Sequence, residues 1–155
     1  MYNCCMNMNV ETIIKTNKKI PLHKRTIIHL ALVNNKINEQ MTAALKPFDI
    51  SIPQFNVLRI LRGQQGKPAH LSTINERMVT KMSNTTRLVD KLMAKGLVKR
   101  SICKQNRRKV EIVITQKGLD LLEDMDDLLF ELEEHLVGRF TDKELIALNT
   151  LLDKF

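Results

Sequence analysis

Two clusters of cationic and hydrogen-bonding side chains carry the chemistry that this sequence offers. One lies in the run SNTTRLVDK (83–91), and the other in CKQNRRKV (103–110), where four basic residues surround a tight turn. Arginine and lysine bind phosphate oxygens, whereas asparagine, threonine and arginine also form hydrogen bonds with base edges. The residues that we expect to contact a polyanion in this way are Ser83, Asn84, Thr85, Thr86, Arg87, Lys91, Lys104, Asn106, Arg107, Arg108 and Lys109.

Charge is distributed unevenly along the 155 residues. Residues 1–70 carry a net charge of +7, residues 71–118 carry +9 and residues 119–155 carry −8, for a total of +8. A clustered basic segment attracts a polyanion because each phosphate that it neutralises releases condensed counterions. This distribution favours nucleic acid as the partner, although charge alone does not distinguish DNA from RNA or from an anionic membrane surface.

The composition argues against a secreted, membrane-spanning or disulfide-stabilised protein. No stretch approaches the roughly 18 consecutive apolar residues of a membrane helix, and the N-terminal residues lack the pattern of a cleaved signal. Three cysteines, an odd number, indicate reduced thiols. The apolar fraction of 43% is sufficient for a core, and an aromatic fraction of 4% favours helical packing. We therefore expect a cytoplasmic protein with no membrane contact.

The sequence has no pattern of an enzyme, a cofactor site or a metal centre. Catalysis would require a nucleophile with its base, paired carboxylates or a ligated metal in one cleft, and the histidines do not lie in such a pattern. His29 could be grouped with Glu133, Glu134 and His135 as metal ligands. However, adjacent residues of a helix point in different directions, and no two of these four residues have i, i+4 spacing. We expect no catalytic residue, no cofactor and no metal.

Helical spacing of apolar residues predicts two helices in the first part of the chain. The first runs from about His23 to Lys46, and Pro47 ends it. Ser51 and Gln54 have the spacing of a capping box, which predicts that a second, short helix begins there.

The next segment is predicted to be a helix-turn-helix. Thr73 with Glu76 repeats the capping-box spacing, and Ser83 or Asn84 caps a longer helix that Gly96 ends. The polar residues of the run 83–91 would occupy the exposed face of this second helix. Its buried face is expected to consist of Leu88, Val89, Leu92 and Met93.

A change of apolar period to two predicts a β-hairpin after Gly96. Its strands are residues 98–102 and 110–114, and the basic turn lies between them. The turn therefore forms the tip of a protruding hairpin.

Two helices are predicted after the hairpin. Thr115 caps the first, which ends near Val137, and the second begins at Thr141 or Asp142. Apolar residues in the segment 122–136 recur at alternating steps of three and four, as in a heptad pattern. This seam is too long for a small domain to bury by itself, which favours association with a second chain.

This order of elements predicts a winged helix, a fold that is mainly α with one small β-hairpin. The major groove of DNA admits one α-helix, whose N-terminal turn reaches the base edges. Thr86 and Arg87 are the positions from which we first expect base contacts. Arg107 or Arg108 at the hairpin tip would enter a neighbouring minor groove, where arginine reads groove width.

Residues 22–155 resemble the MarR family of bacterial and archaeal transcriptional regulators. The family's recognition helix and first wing strand are similar to TTRLVDKLMAKGLVKR (85–100), and its wing is similar to NRRKVEIVITQKG (106–118). The resemblance implies a homodimer with intertwined first and last helices and an inverted-repeat operator in double-stranded DNA. It also implies repression that a small-molecule effector or thiol oxidation lifts. One departure is Asn106, where the family usually has Asp, and this change makes the wing more positive.

On this basis we divide the chain into four segments. These are an N-terminal arm (1–21), a dimerisation helix (22–48), a winged helix-turn-helix DNA-binding region (49–116) and C-terminal dimerisation helices (117–155). The residues expected in the dimer interface are Leu30, Leu129, Leu132, Leu136, Leu148 and Leu152.

Some alternatives stay open on the sequence alone. Cys103 lies among basic residues that favour a thiolate, so a thiol-based redox sensor is one alternative. A winged helix that serves only protein contacts is another. The arm, with Cys4 and Cys5, is either frayed or an extra dimer contact around residues 10–14. Asp90 is expected to form a salt bridge within the domain.

Overall fold

The computed structural model describes residues 9–80, 84–102 and 110–155. The chain divides into two compact units, Met1–Gln40 and Met41–Phe155. The content confirms a mainly α fold with one β-hairpin, and no helix within the described ranges is long and apolar enough to cross a membrane. The elements are α1 (Val10–Ile13), α2 (Leu22–Leu45), α3 (Ile52–Arg62), α4 (Leu71–Arg77), α5 (Thr85–Ala94), β1 (Val98–Ile102), β2 (Val110–Ile114), α6 (Gln116–Val137) and α7 (Asp142–Leu152).

In the first unit, a short helix precedes α2. Asn9 caps α1, because its side chain accepts a hydrogen bond from the backbone N–H of Thr12 at 3.0 Å. Nε of Arg25 donates to Glu11 Oε1 at 2.8 Å, and this hydrogen bond lowers the pKa of the Glu11 carboxyl. The described part of the predicted arm therefore contains a helix that is bonded to α2. Cys4 and Cys5 lie outside the described residues.

The second unit packs its helices and the hairpin around one apolar core. α3 occupies the centre, because it contacts α4, α5, α6 and β2. Leu and Ile dominate the core, as the low aromatic content predicts. Its fully buried side chains include Phe55, Leu58, Leu61, Ile74, Leu92, Leu97, Ile112, Leu122 and Met125.

Three predicted helix starts are confirmed. Ser51 begins α3 with both hydrogen bonds of a capping box in place. Thr115 begins α6, where its hydroxyl accepts from the N–H of Gly118 at 3.1 Å. Thr141 begins α7 with a second complete capping box. Local side-chain chemistry thus determines where these three helices start.

The hairpin has the predicted strands and is bonded along both edges of β2. On one edge, β1 and β2 pair antiparallel with Val98 opposite Ile114. On the other edge, the backbone of Ile112 exchanges two hydrogen bonds with that of Ala69, each 2.9 Å long. His70 Nδ1 also lies 2.9 Å from the carbonyl oxygen of Val110. The segment before α4 is therefore held against the wing.

The hydrogen bonds between this segment and β2 explain why the predicted start of α4 is wrong. The predicted capping box of Thr73 and Glu76 is wrong, since α4 begins at Leu71 with His70 as its N-cap residue. The bonds to β2 hold the chain extended as far as His70, and the helix begins immediately afterwards. A tertiary contact overrides the local capping signal here.

The first half of the apolar seam of α6 packs into the core of its own chain. Leu122, Met125 and Leu129 are buried in the core of the second unit, where α6 packs against α3. Leu129 is only 3% exposed, so the prediction that it lies in a dimer interface is wrong. Leu132 packs partly buried against the same core, and Leu136 is half-buried.

Candidate nucleic-acid interface

α4 and α5 form the predicted helix-turn-helix, and α5 is its second helix. Val89 and Leu92 anchor α5 in the core, with Leu88 half-buried beside them. The expectation that Met93 belongs to this buried face is wrong, because Met93 is 37% exposed. At about 100° of rotation per residue, Met93 lies beside Val89 but about 140° from Leu88, which places it at the edge of the buried face.

The opposite side of α5 presents polar and cationic side chains to solvent. Asn84, Thr86, Arg87 and Lys91 are exposed, as predicted. Asn84 is the N-cap residue of α5, yet its side chain makes no capping hydrogen bond within the described part of the chain. The N-terminal turn of α5 therefore offers an amide, a hydroxyl and a guanidinium group, which are suitable partners for base edges and phosphates.

Thr85 does not belong to this exposed surface. It is 7% exposed, and its hydroxyl donates a hydrogen bond to Oδ1 of Asn75 on α4 at 3.2 Å. The prediction that the Thr85 side chain lies on the exposed face of α5 is therefore wrong. Its spacing could have revealed this, because Thr85 lies four residues before Val89 and seven before Leu92, on the same helical face.

An ion pair links α5 to the wing. Nη1 of Arg100 on β1 lies 3.4 Å from Oδ1 of Asp90 on α5. This confirms the prediction that Asp90 forms a salt bridge within the domain, and it identifies Arg100 as the partner, which sequence reasoning did not name. The pair marks the flank of α5 that faces the hairpin.

The remaining predicted contact residues lie outside the described residues, as does Cys103. The structure does describe the base of the wing, which β1, β2 and the bonds to Ala69 hold together. The contact residues outside the described ranges are Ser83, Lys104, Asn106, Arg107, Arg108 and Lys109. Their roles stay predictions from the sequence.

A cleft of about 590 Å³ lies on the other flank of α5. We call it the lysine cleft, because Lys46, Lys91 and Lys95 are among its lining residues. Nζ of Lys95 donates a hydrogen bond of 2.8 Å to Oδ2 of Asp49, which holds the pKa of the Asp49 carboxyl below its ordinary value. The remaining lining residues are Thr42, Ile50, Ser51, Gln54 and Ala94.

Sequence reasoning missed the lysine cleft as a unit. The i, i+4 spacing of Lys91 and Lys95 places both on one face of α5, and that was the only available signal. Lys46 precedes Lys91 by 45 positions, so only the fold brings them together.

These elements define the class of the protein. It is a winged helix-turn-helix protein in which α5, the second helix of the motif, exposes a polar, cationic surface. A profile of the MarR family matches residues 50–110. The chain is also 30% identical over 140 residues to the multiple antibiotic resistance protein MarR of Escherichia coli, a match that covers 89% of this chain and 92% of that protein. The chain belongs to the MarR family of winged-helix transcriptional regulators.

Two further comparisons agree with this assignment. The transcriptional repressor IacR of Pseudomonas putida is 27% identical over 124 residues, which cover 80% of this chain and 73% of that protein. The crystal structure of the reduced form of MarR from Escherichia coli matches with a TM-score of 0.69 and 29% identity, over 89% of this chain and 98% of that chain. IacR is named as an HTH-type transcriptional repressor, and the MarR crystal structure shares the fold of this chain.

Proposed function

We propose that this chain is a sequence-specific DNA-binding regulator that acts as a homodimer on an inverted-repeat operator. The observation that carries the proposal is the two-sided character of α5. Val89 and Leu92 fix one side in the core, while Asn84, Thr86 and Arg87 are exposed on the other. In this proposal α5 lies in the major groove and the wing lies at the adjacent minor groove.

Exposed apolar side chains on α7 support the homodimer. Leu148 and Leu152 are each 41% exposed, and no residue of α7 is buried. Exposed apolar surface of this extent favours a protein partner, and a second copy of the chain is the simplest one. In this proposal residues 22–48 and 117–155 dimerise, and residues 49–116 bind DNA with recognition helices about 34 Å apart.

Membership of the family supports a proposal for the mode of regulation. We propose that the protein acts in the cytoplasm as a repressor, has no enzymatic activity and responds to a small-molecule effector. The name of IacR, a transcriptional repressor, supports the direction of control. The alternative of thiol-based sensing depends on Cys103, which lies outside the described residues.

Selection of bound fragments from random duplex DNA tests the proposed function directly. We expect enrichment of an inverted repeat whose half-sites are centred about 10 base pairs apart, one helical turn, because the two recognition helices bind successive major grooves. The control is selection with a variant in which Asn84, Thr86 and Arg87 are all alanine. Absence of enrichment, together with no salt-dependent duplex binding by the unaltered protein, would favour a winged helix that serves protein contacts only.

Placing glutamate at both Leu148 and Leu152 is expected to convert the dimer to monomers. A dimer interface would bury the new carboxylates without partners, which should weaken association by at least about a hundredfold. Analytical ultracentrifugation at micromolar concentration measures the change. Lys143→Glu is the control. Lys143 is exposed on α7 and lies five residues before Leu148 and nine residues before Leu152. A dimer that persists in the double variant would show that α7 is not part of the interface.

Replacing Arg107 and Arg108 with alanine is expected to lower DNA affinity on every sequence to a similar degree. Each lost phosphate contact should reduce the slope of log affinity against log salt concentration by about one. Fluorescence anisotropy over a salt series, on cognate and random duplexes, measures both quantities. A slope equal to that of the unaltered protein would exclude the wing tip as a DNA contact.

A further inference from the structure

We infer that the lysine cleft is a second phosphate-binding surface, which seats the DNA backbone on the flank of α5 away from the wing. Lys46 supplies a contact from outside the helix-turn-helix, and Gln54 supplies a fixed hydrogen-bond donor. This inference rests on the proposed function, since it assumes that α5 occupies a major groove.

The helical positions place the cleft opposite the wing. Measured around the axis of α5 from Arg87, Asp90 lies about 60° in one direction and Lys95 about 80° in the other. Asp90 pairs with Arg100 of β1, whereas Lys95 lines the cleft. A helix in the major groove has one phosphate backbone on each flank, because the two strands border the groove. The wing and the lysine cleft therefore face different strands.

The cleft has cationic groups without an ion-pair partner among the described residues. Lys46 and Lys91 are both exposed, and neither forms an ion pair within residues 9–80, 84–102 and 110–155. The third lysine, Lys95, is compensated by Asp49 at 2.8 Å. Two ammonium groups therefore stay available for phosphate oxygens.

Gln54 adds a donor whose position is fixed. The residue is 5% exposed, and its Oε1 accepts hydrogen bonds from the backbone N–H of Ser51 at 3.0 Å and from the Ser51 hydroxyl at 3.2 Å. Its Nε2 donates no hydrogen bond to any part of the chain that the structure describes, although Gln54 lines the cleft. The capping box thus orients an amide group whose N–H donors are unused.

The exposure of the cleft favours a phosphate backbone over an enclosed small molecule. Pockets for small ligands bury most of the ligand surface. In the lysine cleft, most lining residues are exposed, including Thr42, Asp49, Ser51 and Ala94. An extended polyanion that passes across the surface fits this shape.

Lys46→Ala tests the inference by salt-dependent binding to cognate and random duplexes. We expect the slope of log affinity against log salt concentration to fall by about 0.9, and the affinity at 150 mM salt to fall about fivefold, on both duplexes equally. Lys143→Ala is the matched control, because it removes the same charge from α7, outside the cleft, and should leave the slope unchanged.

Gln54→Glu separates DNA binding from folding. A glutamate at this position keeps the acceptor of the capping box, since Ser-x-x-Glu is itself a capping-box sequence. It replaces the free amide donor with carboxylate oxygen. We therefore expect unchanged helix content by circular dichroism and weaker binding to both duplexes.

The two proposals fail in different ways. If the unaltered protein binds DNA and both Lys46→Ala and Gln54→Glu keep its affinity and salt slope, the lysine cleft is not a phosphate-binding surface and the proposed function stands. If the unaltered protein binds no duplex at low salt, the proposed function fails and the inference fails with it.

Discussion

Replacing Gly118 with alanine is expected to destabilise the protein by about 1–3 kcal/mol, the cost of forcing one extra carbon into a packed site. Gly118 is buried in the first turn of α6. A Cβ atom at this position would overlap the carbonyl oxygen of Leu97 and lie 2.8 Å from Cγ1 of Ile114. The backbone oxygen cannot rotate away as a flexible side chain would, so the start of α6 must shift from the base of the wing.

Denaturant unfolding measures this effect, and Gly63→Ala provides the matched control. Gly63 has a φ of −62°, and an added Cβ would meet its nearest atoms at 3.5 Å, which is ordinary van der Waals contact. Alanine there should be neutral or stabilise by about 0.4–1 kcal/mol, because it restricts the unfolded chain. Equal stabilities of the two variants would contradict the close approach of α6 to Leu97.

Replacing Arg87 with alanine is expected to relax sequence preference rather than abolish DNA binding. Arg87 is exposed in the first turn of α5, the part of a recognition helix that reaches base edges. Loss of a bidentate base contact costs about 1–3 kcal/mol on the cognate duplex, or roughly 5- to 150-fold in affinity. On random duplex only the general attraction of one charge is lost, so the decrease should be much smaller.

The ratio of cognate to random affinity at one salt concentration measures this prediction. Arg139→Ala is the control, since Arg139 is an exposed arginine between α6 and α7 and its loss removes the same charge. We expect the ratio to fall for Arg87→Ala and to stay constant for Arg139→Ala. Equal weakening of Arg87→Ala on both duplexes would show that Arg87 contacts phosphate instead of a base.

The elements of the fold could largely be predicted because their signals are local. Capping residues such as Ser51 and Thr141 act on neighbouring backbone N–H groups, and β2 places Ile112 and Ile114 on its buried face at a spacing of two residues. The start of α4 could not be predicted in this way. The bonds between Ala69 and Ile112 span 43 positions and have no local sequence pattern.

The candidate site was only partly predictable for the same reason. The exposed positions of α5, such as Arg87 and Lys91, follow from helical periodicity alone. Periodicity does not determine which chain covers an apolar position. Leu129 shows this, because its heptad spacing suits burial either by a second copy of the chain or by the neighbouring α3. Periodicity identifies a face that will be covered, and the tertiary fold determines what covers it.

The double attachment of β2 has a consequence for how this protein could diverge. Main-chain hydrogen bonds join Ile112 to Ala69 just before α4, and β1 pairs along the other edge of the strand. The separation between hairpin and helix-turn-helix is therefore set by peptide groups that every residue except proline can provide. Exposed residues of β1, such as Lys99 and Ser101, can be exchanged without altering that separation. Substitutions on the hairpin can therefore change which groups it contacts, while its position relative to the helix-turn-helix stays constant.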